Sequence, residues 1–333
     1  MTYQKLQSIV DSAQHILILQ ADNPDADSLG SSLALEAILE DLGKTVTMVC
    51  AVDMPSYLRY LEGSDRVQKQ VPSSFDATII VDTSSETLFE SLSGSNAYGW
   101  IKTKPVIVID HHASSDGISW ATVEYNETAV ATSEIIHRIA LELDWPLPVD
   151  ACNMMAVSIM ADSVGLVSEA TTATTFAVMS DLVKRGANLP SLDSKRRDLM
   201  RKDPSLINYK GELLQRVHFD PSGRIAYVMI PFGEIEKYSP LYNPSMLVID
   251  DMRMTIGVDV AIAFKVYNNG RITGKVRCNY GRGIGGELGA LFGGGGHPYA
   301  AGFKTTDGTS YDDLKNKVIS EGNRLLDELE AKQ

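Results

Sequence analysis

The stretch Val106-Ile107-Val108-Ile109-Asp110-His111-His112 constrains this chain more than any other. Four consecutive β-branched apolar residues leave no polar side for water, the pattern of a parallel strand buried on both faces. Such a strand needs flanking strands and covering helices, so it points to an α/β fold. It then runs straight into one carboxylate and two imidazoles. In open α/β sheets, ligands bind beyond the carboxyl ends of the strands. Side chains alternate along a strand, which predicts Asp110 and His112 on one face and His111 on the other. Three polar residues do not make a site, so partners must come from other strand ends.

The chain supplies them in order. His15–Gln20 reads as a first strand and ends in Ala21-Asp22-Asn23-Pro24-Asp25-Ala26-Asp27-Ser28. Pro24 turns the chain, and Ser28 or Asp27 is expected to cap a helix from Leu29 to Leu42, stopped by Gly43. One capping carboxylate would suffice, yet Asp22, Asp25 and Asp27 crowd a single turn, an arrangement tolerated best around a cation. Thr45–Cys50 and Ala77–Val81 read as further strands, the latter ending on Asp82-Thr83, and Trp120–Tyr125 as another. Helical patterns follow at 130–143, 151–160 and 172–184. In the first, Ile135, Ile136 and Ile139 share a face, which leaves His137 as a solvated surface residue. The second is apolar enough for a core or for a homodimer contact, and a carboxylate directly after it, Asp162, needs a partner. Asp25, Asp27, Asp82, His111 and Asp162 form an oxygen-rich set with an imidazole. That mix suits manganese or magnesium, and the histidine favours manganese over calcium. Converging carboxylates further suit two metals sharing one aspartate, the apparatus of phosphoryl chemistry.

From 188 to about 208 the chain turns charged. Lys195, Arg196 and Arg197 are diluted by Asp193, Asp198 and Asp203, which reads as a solvated face on a connector or exposed helix between domains. Beyond it, Ile225–Ile230, Val258–Val266 and Arg271–Arg277 read as strands, Asn268-Asn269-Gly270 as a hairpin turn, and Tyr311–Leu329 as a helix. The expected architecture is a parallel-sheet N-terminal domain and a smaller α/β domain with a mixed sheet, with a cleft between them. The run Gly293-Gly294-Gly295-Gly296-His297 is either a structural loop or a backbone cradle for phosphate. It fits neither the Walker nor the Rossmann pattern. His297, Arg277 and Arg282 could donate to an anion. The net charge of −13 opposes a broad basic groove for long nucleic acid but permits a short anionic ligand. Cys50, Cys152 and Cys278 read as buried thiols of a reducing compartment. No signal-peptide pattern and no apolar run near the ~20 residues of a membrane span occur, so a cytoplasmic location and no membrane partner are expected.

Taken together, Asn23-Pro24-Asp25-Ala26-Asp27, Val81-Asp82-Thr83, Asp110-His111-His112, Ala161-Asp162-Ser163 and Gly293–His297 resemble the DHH phosphoesterases with a DHH-associated C-terminal domain. The resemblance covers nearly the whole chain, and its two-domain plan is that of the oligoribonuclease (nanoRNase) and 3′-phosphoadenosine 5′-phosphate (pAp) phosphatase branch. It implies a DHH catalytic domain at 1–187, a linker at 188–208 and a substrate-binding domain at 209–333. It further implies a two-metal manganese hydrolase acting on short oligonucleotides, linear dinucleotides or pAp. Asp25 would serve one metal; Asp27, His111 and Asp162 the other; Asp82 would bridge. His112 would meet the scissile phosphate, Asp110 would orient an imidazole, and Arg277 with Gly293, Gly294, Gly295, Gly296 and His297 would hold the nucleotide. One position departs from the family pattern: Ala21 stands where the first motif has a histidine. That predicts a weaker first metal site, assisted by Asp22 or Asn23. It also keeps two alternatives open, a nucleotide-binding regulatory protein with weakened catalysis and a RecJ-like single-strand exonuclease.

Overall fold

The computed structural model describes residues 2–112 and 117–332. The chain divides into two compact units, Met1–Arg201 and Lys202–Gln333. Unit 1 begins with α1 (Gln4–Ser12), β1 (His15–Leu19), α2 (Ala26–Asp41), β2 (Thr45–Val49) and β3 (Ala77–Val81). It continues with α3 (Glu90–Ser93), α4 (Asn96–Ile101), β4 (Val106–Asp110), β5 (Val123–Asn126), α5 (Thr132–Glu142), α6 (Val149–Asp162), α7 (Ala173–Lys184) and α8 (Leu189–Leu199). The five strands are all parallel, in the order β2-β1-β3-β4-β5.

The two-residue period of the strands sorts the core. Ile16, Ile18, Ile79, Val81, Ile107 and Ile109 pack into the cluster that holds α2, α5 and α6. Leu17, Leu19, Ile80, Val106 and Val108 pack on the other side against Phe89, Tyr98 and Ile101. β4 is buried along its whole length, as its run of branched residues requires. α6 buries Ala151, Cys152, Met154, Met155, Ala156, Val157 and Ile159 in the core of unit 1, while Val149 and Met160 near its ends stay exposed. Gly30 lets α2 and α6 approach: a Cβ there would lie 2.9 Å from the Met154 carbonyl oxygen and 3.0 Å from the Ser158 Cβ.

Two local expectations are corrected, and a third stretch resolves to one of its two readings. Asp25, not Ser28 or Asp27, is the N-cap of α2; its carboxylate accepts from the backbone N–H of Asp27 and Ser28, and Ser28 completes a capping box. His137 is buried, not solvated, because α7 covers that side of α5 and supplies Asp181, whose carboxylate lies 2.8 Å from the His137 Nε2. The 188–208 stretch is largely helical: Asn188 caps α8, and the division between the units falls after it.

Unit 2 runs α9 (Pro204–Gln215), β6 (His218–Phe219), β7 (Ile225–Pro231), α10 (Phe232–Tyr238), α11 (Pro244–Arg253), β8 (Val260–Val266), β9 (Ile272–Cys278), α12 (Gly285–Leu291), β10 (Gly295–His297), β11 (Ala300–Thr305) and α13 (Tyr311–Glu330). Its mixed sheet has the order β10-β11-β9-β8-β7-β6, with only β7 and β8 parallel. Gly270, at φ 77°, takes the left-handed position in the β8–β9 turn. Ala226, Val228, Ala261 and Ala263 pack with α9, α10 and α11 on one face. Val260, Ile262, Val276 and Phe303 pack with α12 and α13 on the other. The three cysteines are free and buried, and among the described residues no helix is long and apolar enough to cross a membrane.

Gly30→Ala tests the α2–α6 contact. Alanine gains about 1 kcal/mol of helix propensity, but overpacking costs about 1–3 kcal/mol. A net loss on the order of 1 kcal/mol is expected in urea unfolding followed by circular dichroism.

Candidate active site

The carboxyl edge of the unit 1 sheet gathers the acidic and imidazole side chains. Asp82 directly follows β3 and takes a left-handed conformation, φ 62°. That conformation is costly for a residue with a side chain and recurs where a functional group must be aimed. The Asp82 N–H stays bonded to the Ile109 carbonyl at 2.9 Å, which ties the turn to β4. Thr132, the first residue of α5, donates its hydroxyl to Asp82 Oδ1 at 3.1 Å and its N–H to Asp27 Oδ2 at 2.8 Å. Asp27 is fully buried, and Ser31 and Ser158 both donate to its Oδ1. Serines from α2 and α6, with the start of α5, thereby hold one carboxylate in a single orientation.

His111 sits at the centre. Its Nδ1 donates to the Ala129 carbonyl at 3.2 Å, so in the neutral ring Nε2 carries the lone pair. Nε2 is buried and has no hydrogen-bond partner. Around it lie Asp27 Oδ2 at 3.4 Å, Asp162 Oδ2 at 3.4 Å and Asp82 Oδ1 at 3.5 Å. These separations are long for hydrogen bonds and suit donors arranged about a shared ion. Burial alone would lower the His111 pKa, but the Asp162 and Asp82 carboxylates more than offset it and raise it to about 11. Burial, then the charge of Asp27, pushes Asp82 well above the usual carboxylate range. The pocket therefore calls for positive charge at its centre, and a divalent cation fits the donor set. Among the described residues, two groups bring ligand atoms within 4.8 Å of one another: Asp27, His111 and Asp162, and Asp82, His111 and His112.

Asp110 is fully buried one residue upstream. Its Oδ1 accepts from the His111 N–H at 2.9 Å and from His112 Nδ1 at 2.7 Å, while its Oδ2 accepts from the Ser84 hydroxyl. Burial raises its pKa, but the hydrogen bonds from His112 and Ser84 outweigh that and keep it below the usual range. Asn126 donates to Ser84 Oγ and to the His112 carbonyl, bracing the same turn. The expectation that His111 and His112 lie on opposite faces is corrected. β4 ends at Asp110, so strand alternation no longer governs the two histidines. Their ring centroids are 4.5 Å apart, and both face Asp82, His112 Nδ1 at 3.8 Å from Oδ1.

Other expected positions fare differently. Asp25 caps α2 at the exposed rim and belongs to neither ligand group. Ala21 is buried, and Asp22 is turned to the Ser91 N–H, 2.7 Å from its Oδ2, outside both groups. In unit 2, Arg277 lies on β9, while Arg282 is taken up by Asp259 and Glu330. The glycine run is not a free loop. Gly295, Gly296 and His297 form the exposed edge strand β10, and a Cβ on Gly294 would lie 2.1 Å from the Gly302 carbonyl oxygen. Backbone packing alone accounts for glycine at that position. The bracing residues Ser31, Ser84, Asn126, Thr132 and Ser158 are absent from the reading of the sequence. Only Ser31 has a local signal, standing four residues after Asp27 on one helix face.

Residues 15–159, which include Asp27, Asp82, His111 and His112, match the DHH family, N-terminal domain. Over most of its length the chain is similar to the bifunctional oligoribonuclease and PAP phosphatase NrnA of Thermus thermophilus, 27% identical over 89% of this chain and 86% of the relative. It is similar also to a probable bifunctional oligoribonuclease and PAP phosphatase NrnA of Streptococcus mutans, 24% identical over 90% of this chain and 94% of that one. An exopolyphosphatase-related protein from Bacteroides fragilis shares the fold, with a TM-score of 0.78 at 18% identity, covering 98% of this chain and 96% of that one.

The cluster predicts that Mn2+ stabilises the protein. At a concentration one hundred times the dissociation constant, linkage gives about 2.7 kcal/mol, read as a higher midpoint in thermal unfolding. His111→Ala should abolish most of that metal-dependent rise; an equal rise in the variant would exclude His111 as a ligand.

Proposed function

We propose that this chain is a manganese-dependent phosphoesterase that hydrolyses short oligonucleotides, linear dinucleotides or pAp to nucleoside monophosphates. The observation that carries the reading is the orphaned, buried His111 Nε2 ringed by carboxylates from three different elements. The names of the two NrnA relatives support the substrate class. Asp27, His111 and Asp162 would hold one ion, and Asp82 would be shared with a second that Asp25 serves from the rim. Manganese is preferred because an imidazole joins the oxygens, and magnesium remains a substitute. A cation pair held there activates water and neutralises charge developing on the phosphoryl oxygens.

The chain's own residues do the rest. Asp110 takes the Nδ1 proton of His112 in a hydrogen bond, which leaves Nε2 of this half-exposed ring for a substrate phosphate. Arg277 and the Gly293–His297 segment hold the nucleotide. With Ala21 in place of a histidine and Asp22 engaged at Ser91, the first ion would have fewer protein ligands to hold it.

Incubation with Mn2+ and, separately, pApA, pAp, a cyclic dinucleotide or pyrophosphate is the direct test, with AMP expected from the first two. Tight nucleotide binding without turnover of any of them would favour the regulatory alternative. Asp82→Asn should lower kcat on pApA by roughly 100-fold or more, as loss of a group that stabilises developing charge does. Unchanged activity would sink the shared-aspartate arrangement.

A further inference from the structure

Strand β9 carries Arg271 at its approach, then Thr273, Lys275 and Arg277 at alternate positions, while Ile272, Gly274, Val276 and Cys278 are buried. Alternation puts the first set on one sheet face. The register extends that set sideways. Thr273 is opposite Lys265 on β8 and Lys304 on β11, and Lys275 is opposite Ala263 and Gly302. Five cations therefore share one face. α9, α10 and α11 pack over the β7–β8 part of that face. Toward β11 and β10 it opens into a groove of about 510 Å3 whose lining includes Lys275, Arg277, Gly295, Ala300, Gly302 and Lys304.

These cations have no carboxylate partners among the described residues, although Arg277 Nη1 donates to the Val276 carbonyl at 2.9 Å. Among the described residues, none of Lys265, Arg271, Lys275, Arg277 or Lys304 takes part in an ion pair, whereas Arg216, Arg224, Arg253, Arg282, Lys315 and Arg324 of the same unit all do. Arg271 stacks on Tyr267, 3.7 Å from the ring centroid, and its Nε is buried without a hydrogen-bond partner. Burial and then the charge of Lys275 hold Lys265 below its ordinary pKa, and burial and then Arg277 do the same to Lys275. Like charges crowded on a partly buried sheet, in a chain of net charge −13, lack a counter-charge.

Their spacing indicates what supplies it. Alternate strand residues repeat at about 6.8 Å, so Arg271 to Arg277 spans about 20 Å. A nucleic acid strand carries one charge per ~3.4 Å when stacked. The small residues Ala300, Gly302 and Gly295 beside the stripe leave room for a backbone to lie along it.

We propose that the Arg271–Thr273–Lys275–Arg277 face, flanked by Lys265 and Lys304, is a rail for the successive phosphodiesters of an oligonucleotide of several nucleotides, so that affinity rises with chain length up to the length of the rail. The proposal rests on the oligonucleotide reading above, and equilibrium binding in EDTA, where no metal-dependent turnover occurs, separates the two. Labelled di- and penta-adenylate are titrated at several salt concentrations, with inorganic tripolyphosphate and AMP as competitors. The wild-type protein should bind the pentamer at least tenfold tighter than the dimer. Lys275→Gln, and separately Arg271→Gln with Lys304→Gln, should cut that ratio about threefold or more and lower the salt slope by roughly 0.7 per cation removed. Lys275→Arg should restore the ratio, which distinguishes a lost charge from a damaged sheet. A wild-type ratio near one, or a ratio unmoved by the substitutions, overturns the rail. Tripolyphosphate displacing the pentamer as well as unlabelled pentamer does would reassign the face to polyphosphate and overturn the oligonucleotide assignment. If the ratio behaves as expected but pApA with Mn2+ yields no AMP, the hydrolytic reading falls and the rail stands; the reverse pairing of results removes only the rail.

Discussion

The balance of charge around His111 Nε2 is the constraint on which the first unit depends. Three carboxylate oxygens stand 3.4–3.5 Å from one buried nitrogen. Left to burial, carboxylates and imidazole would all shed their charge. Here burial and then the charge of Asp27 push Asp82 well above the usual carboxylate range, while the Asp162 and Asp82 carboxylates raise the His111 pKa to about 11, so positive charge is favoured at the centre. Such a cluster persists only if its members cannot move apart, and the fold restrains them through separate elements. Asp82 comes from the end of β3, Asp27 from the first turn of α2, His111 from just beyond β4, and Asp162 from the last residue of α6.

The restraint is built from small residues. Gly30 permits the close approach of α2 and α6, and that approach brings the Ser158 hydroxyl onto Asp27. Ser31 and Ser133 hydroxyls lie 2.8 Å apart and connect α2 to α5 in the same layer. Thr132 spans two aspartates with one N–H and one hydroxyl. Each donor satisfies a buried acceptor that would otherwise be costly to bury. The second unit uses glycine for backbone packing too, where α12 lies against β10: a Cβ on Gly286 would sit 2.7 Å from the Gly296 carbonyl oxygen.

Much of this was legible in the order of residues. Continuous apolar runs in β1, β3 and β4, each ending at or near a carboxylate, announce a parallel sheet with an acidic edge, and the apolar run before Asp162 announces a helix that delivers a charge. What misled was context supplied by distant segments. His137 looks solvated on its own helix because nothing local reveals that α7 covers it. Ser28 and Asp27 look like the cap of α2, but the extended backbone of Asp25 just before the helix makes that residue the cap. The glycine run looks like a loop because sequence does not reveal how closely Gly302 approaches its backbone.

Residue order by itself determined the strands of the first unit, the class of the fold, and the identity of the acidic and imidazole side chains gathered at one edge, because backbone sterics and burial act over a few residues. Tertiary structure alone decided which oxygen of each aspartate faces His111, that both histidines turn toward Asp82, and that five cations of the second unit share one face. Those outcomes depend on helix approach and strand register across tens of residues, where one glycine or one shifted pair changes every neighbour.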